Sequence, residues 1–272
     1  MNPCKTIALA NQKGGVGKTT TTLNLGAGLA RQGYKVLLVD CDPQGNLTTC
    51  LGLEGQYQGT TYTLMQRAIQ EQLIKPEEII VSHAEGMDLI PADLELSGMD
   101  LELIALMNRE RILRIGLSEF KKSYDYILID TMPSLGMLTV NALTAADSVI
   151  IPVQAQYLPV KGMTQLLKSI NGVKRYMNRN LRIDGVLITL ADGRTNLSRE
   201  TARFLREQYG TAIKVFDAEI PVSVRAAETI SLGRSLFMYD AQGKATQAYE
   251  QFAKEVSTHA LQRDKSEPSL SR

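Results

Sequence analysis

The residues that could do chemistry begin with a glycine- and lysine-rich segment near the start of the chain. It follows the apolar residues 7–10 and reads Lys13-Gly14-Gly15-Val16-Gly17-Lys18-Thr19-Thr20. Glycines let backbone N–H groups converge on phosphate oxygens, and the N-terminus of a following helix adds partial positive charge. Lys18 can reach the β- and γ-phosphates of a nucleotide, and the Thr19 hydroxyl can ligate Mg²⁺. The segment therefore predicts a site for ATP, or a similar triphosphate, and Mg²⁺.

One position departs from the general phosphate-loop pattern. That pattern has a glycine five residues before the glycine of the Gly-Lys-Thr triplet, where this chain has Gln12. The loop instead carries a second lysine, Lys13, at its start. This form, the deviant Walker A motif, narrows the prediction from any nucleotide hydrolase to one superfamily.

Aspartates follow two apolar runs, each of which is typical of a buried strand. Residues 36–39 lead directly into Asp40 and Asp42, and residues 126–129 lead into Asp130. A carboxylate at the end of a buried strand is costly unless a charge neutralises it, and Mg²⁺ is the obvious partner. A single such aspartate is more often a cap or a turn former. Together with the phosphate loop, we interpret Asp130 as the Walker B residue that holds Mg²⁺ through water, Asp40 as support for the metal shell, and Asp42 as the residue that orients the attacking water.

These residues need strands and helices that alternate along the chain, and the apolar patterns predict them. Alternating βαβ units predict an α/β fold, here a P-loop NTPase with a mostly parallel twisted sheet flanked by helices on both faces. The predicted strands are Thr6–Ala10, Lys35–Asp40, Met87–Pro91, Tyr126–Asp130, Ser148–Val153 and Arg182–Leu190. The predicted helices are Thr19–Gln32, Leu101–Lys122, Leu138–Ala145, Lys161–Met177, Leu197–Gln208 and Ala245–Gln262. We expect one domain over 1–262 and a disordered polar tail over 263–272.

Composition restricts the environment and the partners. The 272 residues are 44% hydrophobic and 22% charged, which is ordinary for a globular protein, and no apolar stretch approaches the roughly 20 residues of a membrane span. The three cysteines lack C-x-x-C spacing and indicate reduced thiols in a cytoplasmic protein rather than a zinc site.

Charge is unevenly distributed along the chain. Residues 161–244 carry 14 Lys and Arg against 8 Asp and Glu, a net charge of +6, whereas the remainder carries −5. A basic C-terminal half suits a polyanion surface, although long helices also carry solvated arginines.

Five segments together resemble the ParA/Soj family of deviant Walker A ATPases. They are Lys13–Thr20, Val39–Asn46, Ile129–Leu143, Thr189–Ser198 and Ile220–Ser235, so the resemblance runs from about Thr6 to Val256. The nucleotide motifs are specific for the superfamily. The Asp-Gly-Arg-Thr-Asn-Leu run at 192–197 and the Ile-Pro, Val-Arg and Ala-Glu pairs within 220–228 favour ParA itself.

The resemblance implies a slow, Mg²⁺-dependent and partner-stimulated ATP hydrolase that forms a homodimer with ATP between its subunits. Lys13 would then reach the partner's nucleotide, and Pro221 would line the adenine pocket. Arg194 and Arg225 match family positions that contact DNA without sequence specificity. The implied role is segregation of plasmids or chromosomes with a ParB-type centromere-binding protein, in the cytoplasm and on the nucleoid.

Two positions depart from the family pattern, and rival functions remain. Met132 replaces a proline or small residue and Gln156 an acidic one, which bears on details of the nucleotide pocket. The alternative is a MinD-like regulator at a membrane surface, but Gln262 to Arg272 lack the amphipathic basic helix it needs, so we expect no membrane partner. A nitrogenase-type iron protein needs cysteines beyond Cys50, and a dethiobiotin-synthetase-like ligase does not require Lys13.

Overall fold

Eight strands form one sheet in the computed structural model, which describes residues 3–155 and 159–266. The strands are β1 (Lys5–Leu9), β2 (Val36–Cys41), β3 (Val81–His83), β4 (Met87–Ile90), β5 (Tyr126–Thr131), β6 (Ser148–Gln154), β7 (Arg182–Ala191) and β8 (Val215–Pro221). Their order across the sheet is β3-β4-β2-β5-β1-β6-β7-β8. All neighbouring strands run parallel except β3 and β4, which are antiparallel.

Helices connect the strands and cover the sheet. The α-helices are α1 (Lys18–Arg31), α2 (Asn46–Cys50), α3 (Thr61–Ile69), α4 (Met99–Ile104), α5 (Ile112–Leu117), α6 (Met137–Ala145), α7 (Pro159–Tyr176), α8 (Asn196–Tyr209), α9 (Val224–Glu228), α10 (Leu236–Tyr239) and α11 (Lys244–Ser266). Short 3₁₀ turns lie at Pro76–Glu78, Leu94–Gly98, Arg109–Arg111, Phe120–Lys122 and Thr229–Leu232.

Two apolar layers pack on opposite faces of the sheet. Alternate residues of β1 divide between them, because Ile7 and Leu9 face the layer of α1 and α11, whereas Ala8 faces the layer of α3, α5, α6 and α7. Side chains buried on both faces explain why the central strands are continuous apolar runs rather than alternating ones. The α/β fold with helices on both faces is confirmed.

The sheet register brings the predicted acidic residues together. Asp40 of β2 lies beside Asp130 of β5, and Asp130 lies beside Leu9 at the end of β1. All three strands are parallel, so their carboxyl ends meet at one edge of the sheet, where the phosphate loop begins.

The predicted helix Leu101–Lys122 is wrong, since this segment is broken into α4, α5 and two 3₁₀ turns. Asn108 takes a left-handed conformation, with φ of 55°, between α4 and α5. Asparagine tolerates that conformation better than most residues, and it ends the helical run. The breaks let Leu103 and Leu113 both reach the core.

Some elements were not predicted, and one extends further than predicted. The strand β8 has no apolar run, because its buried residues alternate with Asp217 and Glu219. Helix α3 begins with a reciprocal hydrogen-bonded cap between Thr60 and Thr63 that the apolar pattern does not reveal. Helix α11 continues to Ser266, beyond the predicted end at Gln262. The disordered tail over 263–272 stays a prediction.

Candidate active site

The phosphate loop joins β1 to α1 and depends on two glycines. Gly15 and Gly17 have φ of 70° and 80°, a left-handed conformation that favours glycine. Helix α1 begins at Lys18, directly after Gly17. Backbone N–H groups in the first turn of a helix lack partners within the helix, so the loop and the start of α1 suit an anion.

The two lysines of the loop lie in different environments. Lys18 is 7% exposed, and its Nζ lies 3.4 Å from the Lys13 carbonyl oxygen. Burial lowers the pKa of Lys18, while the charges of Asp130 and Asp42 oppose that shift. Lys13 is exposed, with its Nζ 3.4 Å from Oε1 of Gln154. Lys18 therefore points into the site, and Lys13 lies on the molecular surface.

Thr19 and Asp130, the two residues proposed to bind magnesium, are in direct contact. The Thr19 hydroxyl donates to Oδ2 of Asp130 at 2.7 Å, and Asp130 is fully buried. Burial, reinforced by the charge of Asp40, raises the pKa of Asp130. A second hydroxyl, that of Thr22, lies 3.3 Å from Oδ1 of Asp130. Sequence reasoning missed Thr22, and the signal was available in the run of threonines that follows Lys18.

Asp40 anchors a turn through its own carboxylate. Its Oδ2 accepts from the backbone N–H and the hydroxyl of Thr48 at 2.9 and 2.8 Å, and Oδ1 accepts from the N–H of Asp42 at 3.2 Å. Burial raises the pKa of Asp40 to about 6. These bonds fix the chain between β2 and α2, which carries Asp42. The role of Asp40 in the metal shell stays a prediction.

Asp42 lies in the turn that Asp40 anchors. Its side chain is 5% exposed, and Oδ1 accepts from the N–H of Gln44 at 3.0 Å. The turn closes at Gly45, whose φ is 61° and whose absent Cβ would lie 2.8 Å from the Ala92 carbonyl oxygen. A residue other than glycine would push this turn away from the site.

The residues present fit a magnesium ion. Carboxylate and hydroxyl oxygens are the ligands that Mg²⁺ prefers. Asp40 and Asp130 have raised pKa values, so burial disfavours their charged forms. A bound cation would stabilise those charged forms. Thr19 and Asp130 would hold the ion.

Three further predicted residues lie at the ends of β7 and β8. Pro221 is the last residue of β8, and the N–H of Val222 donates to the Ala191 carbonyl oxygen at 3.1 Å, which ties the two strand ends together. Arg194 follows β7 and is 89% exposed, whereas Arg225 follows β8 and is 59% exposed. Arg194 lies in the turn before α8 and Arg225 in the short helix α9, so both arginines follow strand ends at the carboxyl edge of the sheet.

Both arginines have carboxylate partners within the chain. Asp192 binds Arg194 through two bonds, from Nε at 2.9 Å and from the terminal nitrogen at 3.0 Å. Arg225 lies 3.2 Å from a Glu228 carboxylate oxygen and donates to the Tyr239 hydroxyl at 3.0 Å. Exposed pairs of this kind contribute little to stability, so both guanidinium groups are available for exchange onto another anion.

Met132 and Gln156 depart from the family pattern, and the structure describes the first of them. Met132 is half-buried in the loop after Asp130, and it packs at the edge of the apolar layer that contains α6. Gln156 lies outside the described residues. Among the helices that the structure describes, none is both long and apolar enough to cross a membrane.

Comparison with known proteins finds a family model and relatives that match more than half of the chain. The family model described as "AAA domain" matches residues 4–183. The chain is 42% identical over 259 residues to the sporulation initiation inhibitor protein Soj of Bacillus subtilis, covering 94% of this chain and 99% of the relative. It is 44% identical over 260 residues to the chromosome partitioning protein ParA of Caulobacter vibrioides, covering 94% of each chain.

Solved structures with bound nucleotide share the fold. A cobyrinic acid a,c-diamide synthase of Mycobacterium smegmatis with an ATP analog and magnesium has a TM-score of 0.82 at 34% identity, covering 98% of this chain and 100% of that one. An ATP complex of a McdA variant from Cyanothece has a TM-score of 0.81 at 26% identity, covering 94% of this chain and 98% of that one.

Proposed function

This chain belongs to the ParA/Soj family of partition ATPases, and from that premise we propose that it is an ATP-driven switch for DNA segregation. In the proposed cycle, ATP joins two copies into a dimer that binds double-stranded DNA without sequence specificity. Hydrolysis then separates the copies and releases the DNA. A ParB-type protein bound at a centromere-like site stimulates hydrolysis, and the cycle takes place in the cytoplasm, on the nucleoid.

The contact between Thr19 and Asp130 is the single observation that carries the ATPase half of this proposal. It unites the predicted metal ligands from two elements far apart in sequence, at 2.7 Å and beside a buried Lys18. Catalysis of phosphoryl transfer rests on positioning and charge stabilisation. Bound Mg²⁺ supplies charge neutralisation of the phosphate oxygens. Lys18 binds the phosphates from within the site, and Asp42 orients the attacking water.

The exposed position of Lys13 supports the dimer half of the proposal. The Nζ of Lys13 lies 3.4 Å from Oε1 of Gln154 and is at the surface. The side chain can therefore turn to a nucleotide held by a second copy. An interface that includes the γ-phosphate exists with ATP and is lost after hydrolysis, which makes the dimer a two-state element.

Arg194 and Arg225 support the DNA half of the proposal. Both are exposed and follow the ends of the neighbouring strands β7 and β8, within the basic segment 161–244. Each phosphate that a protein neutralises contributes to the logarithm of its DNA affinity. A dimer has twice as many phosphate contacts as one copy, so it binds DNA much more tightly. DNA binding therefore follows the nucleotide state.

The test is binding to a random-sequence DNA duplex with ATP, with ADP and without nucleotide, repeated across salt concentrations. We expect strong, salt-sensitive binding with ATP alone. ATP hydrolysis without DNA binding in any state would overturn the segregation proposal and favour a membrane or protein target, as in the MinD-like alternative.

A biosynthetic alternative follows from the name of the Mycobacterium smegmatis structure, that of a diamide synthase. Such an enzyme would use the same phosphate loop to bind the ATP that activates a carboxylic acid. Lys13 distinguishes the two functions, because a ligase of this fold does not require a lysine that reaches a second copy. Loss of ATP-dependent dimerisation in Lys13→Ala, measured by light scattering, would support the switch.

A further inference from the structure

A threonine outside the predicted nucleotide motifs contacts the phosphate loop directly. Thr189, near the end of β7, donates its hydroxyl hydrogen to the Val16 carbonyl oxygen at 2.8 Å. Thr189 is 2% exposed. A Cβ added at Gly17 would lie 3.9 Å from the Thr189 Cβ. The contact is therefore buried and specific rather than an accident of two surface groups.

This hydrogen bond fixes the direction of one peptide group in the phosphate loop. In a trans peptide the C=O and the following N–H point in opposite directions. Holding the Val16 carbonyl towards β7 therefore turns the Gly17 N–H away from β7. Gly17, which follows this peptide, has φ of 80°, a conformation that favours glycine. The hydrogen bond from Thr189 therefore supports the peptide from outside the loop.

The chain changes direction immediately after Thr189. Leu190 has φ of 50°, a left-handed conformation that is costly for a branched side chain. The pairing of β7 with β8 shifts register between Ile188 and Ala191, which is the signature of a bulge. The hydrogen bonds of Thr189 and Ala191, on either side, hold Leu190 in this strained conformation.

The segment after Leu190 reaches both predicted DNA-binding arginines. Ala191 accepts from the N–H of Val222, three residues before Arg225. Asp192 binds the backbone N–H of Arg194 at 3.1 Å as well as its guanidinium group. A path of a few residues, linked by covalent and hydrogen bonds, thus connects Thr189 to both arginines.

We infer that Thr189 is a positioning residue for the phosphate loop and that the segment 189–195 transmits the nucleotide state to the DNA-binding loops. The inference rests on the proposed function, in which Arg194 and Arg225 bind DNA. When a nucleotide binds to the phosphate loop, the Val16–Gly17 peptide is fixed, Thr189 is fixed with it, and the loop carrying Arg194 becomes ordered.

Hydrogen exchange by mass spectrometry tests this transmission without DNA. We expect a saturating non-hydrolysable ATP analogue with Mg²⁺ to slow amide exchange in residues 192–199 of the wild-type protein. Thr189→Val removes the hydroxyl while keeping the branched shape. It should weaken binding of the analogue roughly 2- to 10-fold, the worth of one hydrogen bond, and abolish the slowing at saturation.

Two further variants separate positioning from transmission. Thr189→Ser keeps the hydroxyl and should restore both the affinity and the slowing. Leu190→Gly keeps Thr189 but relaxes the joint, so we expect near wild-type affinity with the slowing lost. Wild-type slowing in Thr189→Val at saturation, or unchanged exchange in the wild-type protein, would overturn the inference. Failure of the proposed function would show separately, as an absence of ATP-dependent DNA binding.

Discussion

At the scale of single residues, the active site holds three carboxylates with different tasks. Asp130 accepts from the Thr19 hydroxyl, and Asp40 accepts from Thr48. Oδ1 of Asp42 accepts from the Gln44 N–H, and Oδ2 has no hydrogen bond to any residue that the structure describes. A residue that orients water needs such an oxygen near the phosphate end of the site. In the proposed mechanism Asp130 binds the metal, Asp40 anchors the turn and Asp42 orients the water.

Asp42→Ala is expected to trap the ATP-bound dimer on DNA. Without the carboxylate, the attacking water loses its acceptor, and removing such a group lowers hydrolysis by about 10²- to 10⁴-fold. Turnover of ATP and the rate of release from immobilised DNA measure this effect. Asp42→Asn is the matched control, because it retains the acceptor for the Gln44 N–H without the charge. An Asp42→Ala protein that leaves DNA as fast as wild type would show that Asp42 does not position the water.

Asp130→Asn is expected to stabilise the protein at high pH when Mg²⁺ and nucleotide are absent. Burial raises the folded-state pKa of Asp130 above the unfolded value near 3.9. Between these values the folded state binds more protons than the unfolded state, so the Asp130 contribution to stability falls as pH rises. The asparagine side chain does not ionise, so the variant should exceed the wild type by about 1–3 kcal/mol at pH 8 and by less at pH 5.

Urea unfolding at pH 5 and pH 8 measures that difference. Asp192→Asn serves as the control, because Arg194 lowers the pKa of Asp192 and no gain in stability at high pH is expected there. A difference between Asp130→Asn and wild type that is the same at both pH values would show that the Asp130 pKa is not raised.

At the scale of elements, the phosphate-loop helix is held by close packing against the last helix. A Cβ on Gly28 of α1 would lie 2.8 Å from the Ala253 Cβ of α11 and 3.3 Å from Cζ of Phe237. The Ala253 Cβ is attached directly to the backbone, so it cannot move without shifting α11. This position therefore sets how closely the two helices approach.

Gly28→Ala is expected to lower the free energy of unfolding by about 1–3 kcal/mol, because overpacking a helix contact costs that much. Gly172→Ala in α7 is the matched control, since a Cβ there would meet no described atom within 4 Å. Both changes gain helix propensity, so the control should gain about 0.5–1 kcal/mol. Chemical denaturation of both variants compares them, and equal stabilities would show that α1 and α11 are not in close contact at Gly28.

The predictability of each element follows from how local its signal is. The central strands and α1 were predicted because an apolar run and a glycine-rich loop lie within a few adjacent residues. The strand β8 was missed because Asp217 and Glu219 interrupt its apolar residues, so no continuous apolar run marks it. The break at Asn108 and the contact of Thr189 with Val16 depend on which segments meet in space, and a single sequence does not contain that information.

At the scale of the whole molecule, the phosphate loop and both arginines lie at one edge of the sheet. The phosphate loop follows β1, Arg194 follows β7, and Arg225 follows β8, all at carboxyl ends of parallel strands. The segment 161–244 has a net charge of +6 against −5 for the remainder. Charge separation of this kind directs one side of the molecule towards a polyanion.

Arg194→Ala and Arg225→Ala are each expected to weaken ATP-dependent DNA binding equally across DNA sequences, because phosphate contacts carry no sequence information. The affinity falls with salt at a slope of about −0.9 per neutralised phosphate. Two copies of each arginine act in the dimer, so each variant should reduce the slope by about 2 in magnitude. Titrations between 50 and 200 mM salt measure it. Lys254→Ala removes the same charge from α11, where Lys254 pairs with Glu250, and should leave the slope unchanged. An equal loss of slope in Lys254→Ala would mean that net charge, rather than the loops after β7 and β8, binds the DNA.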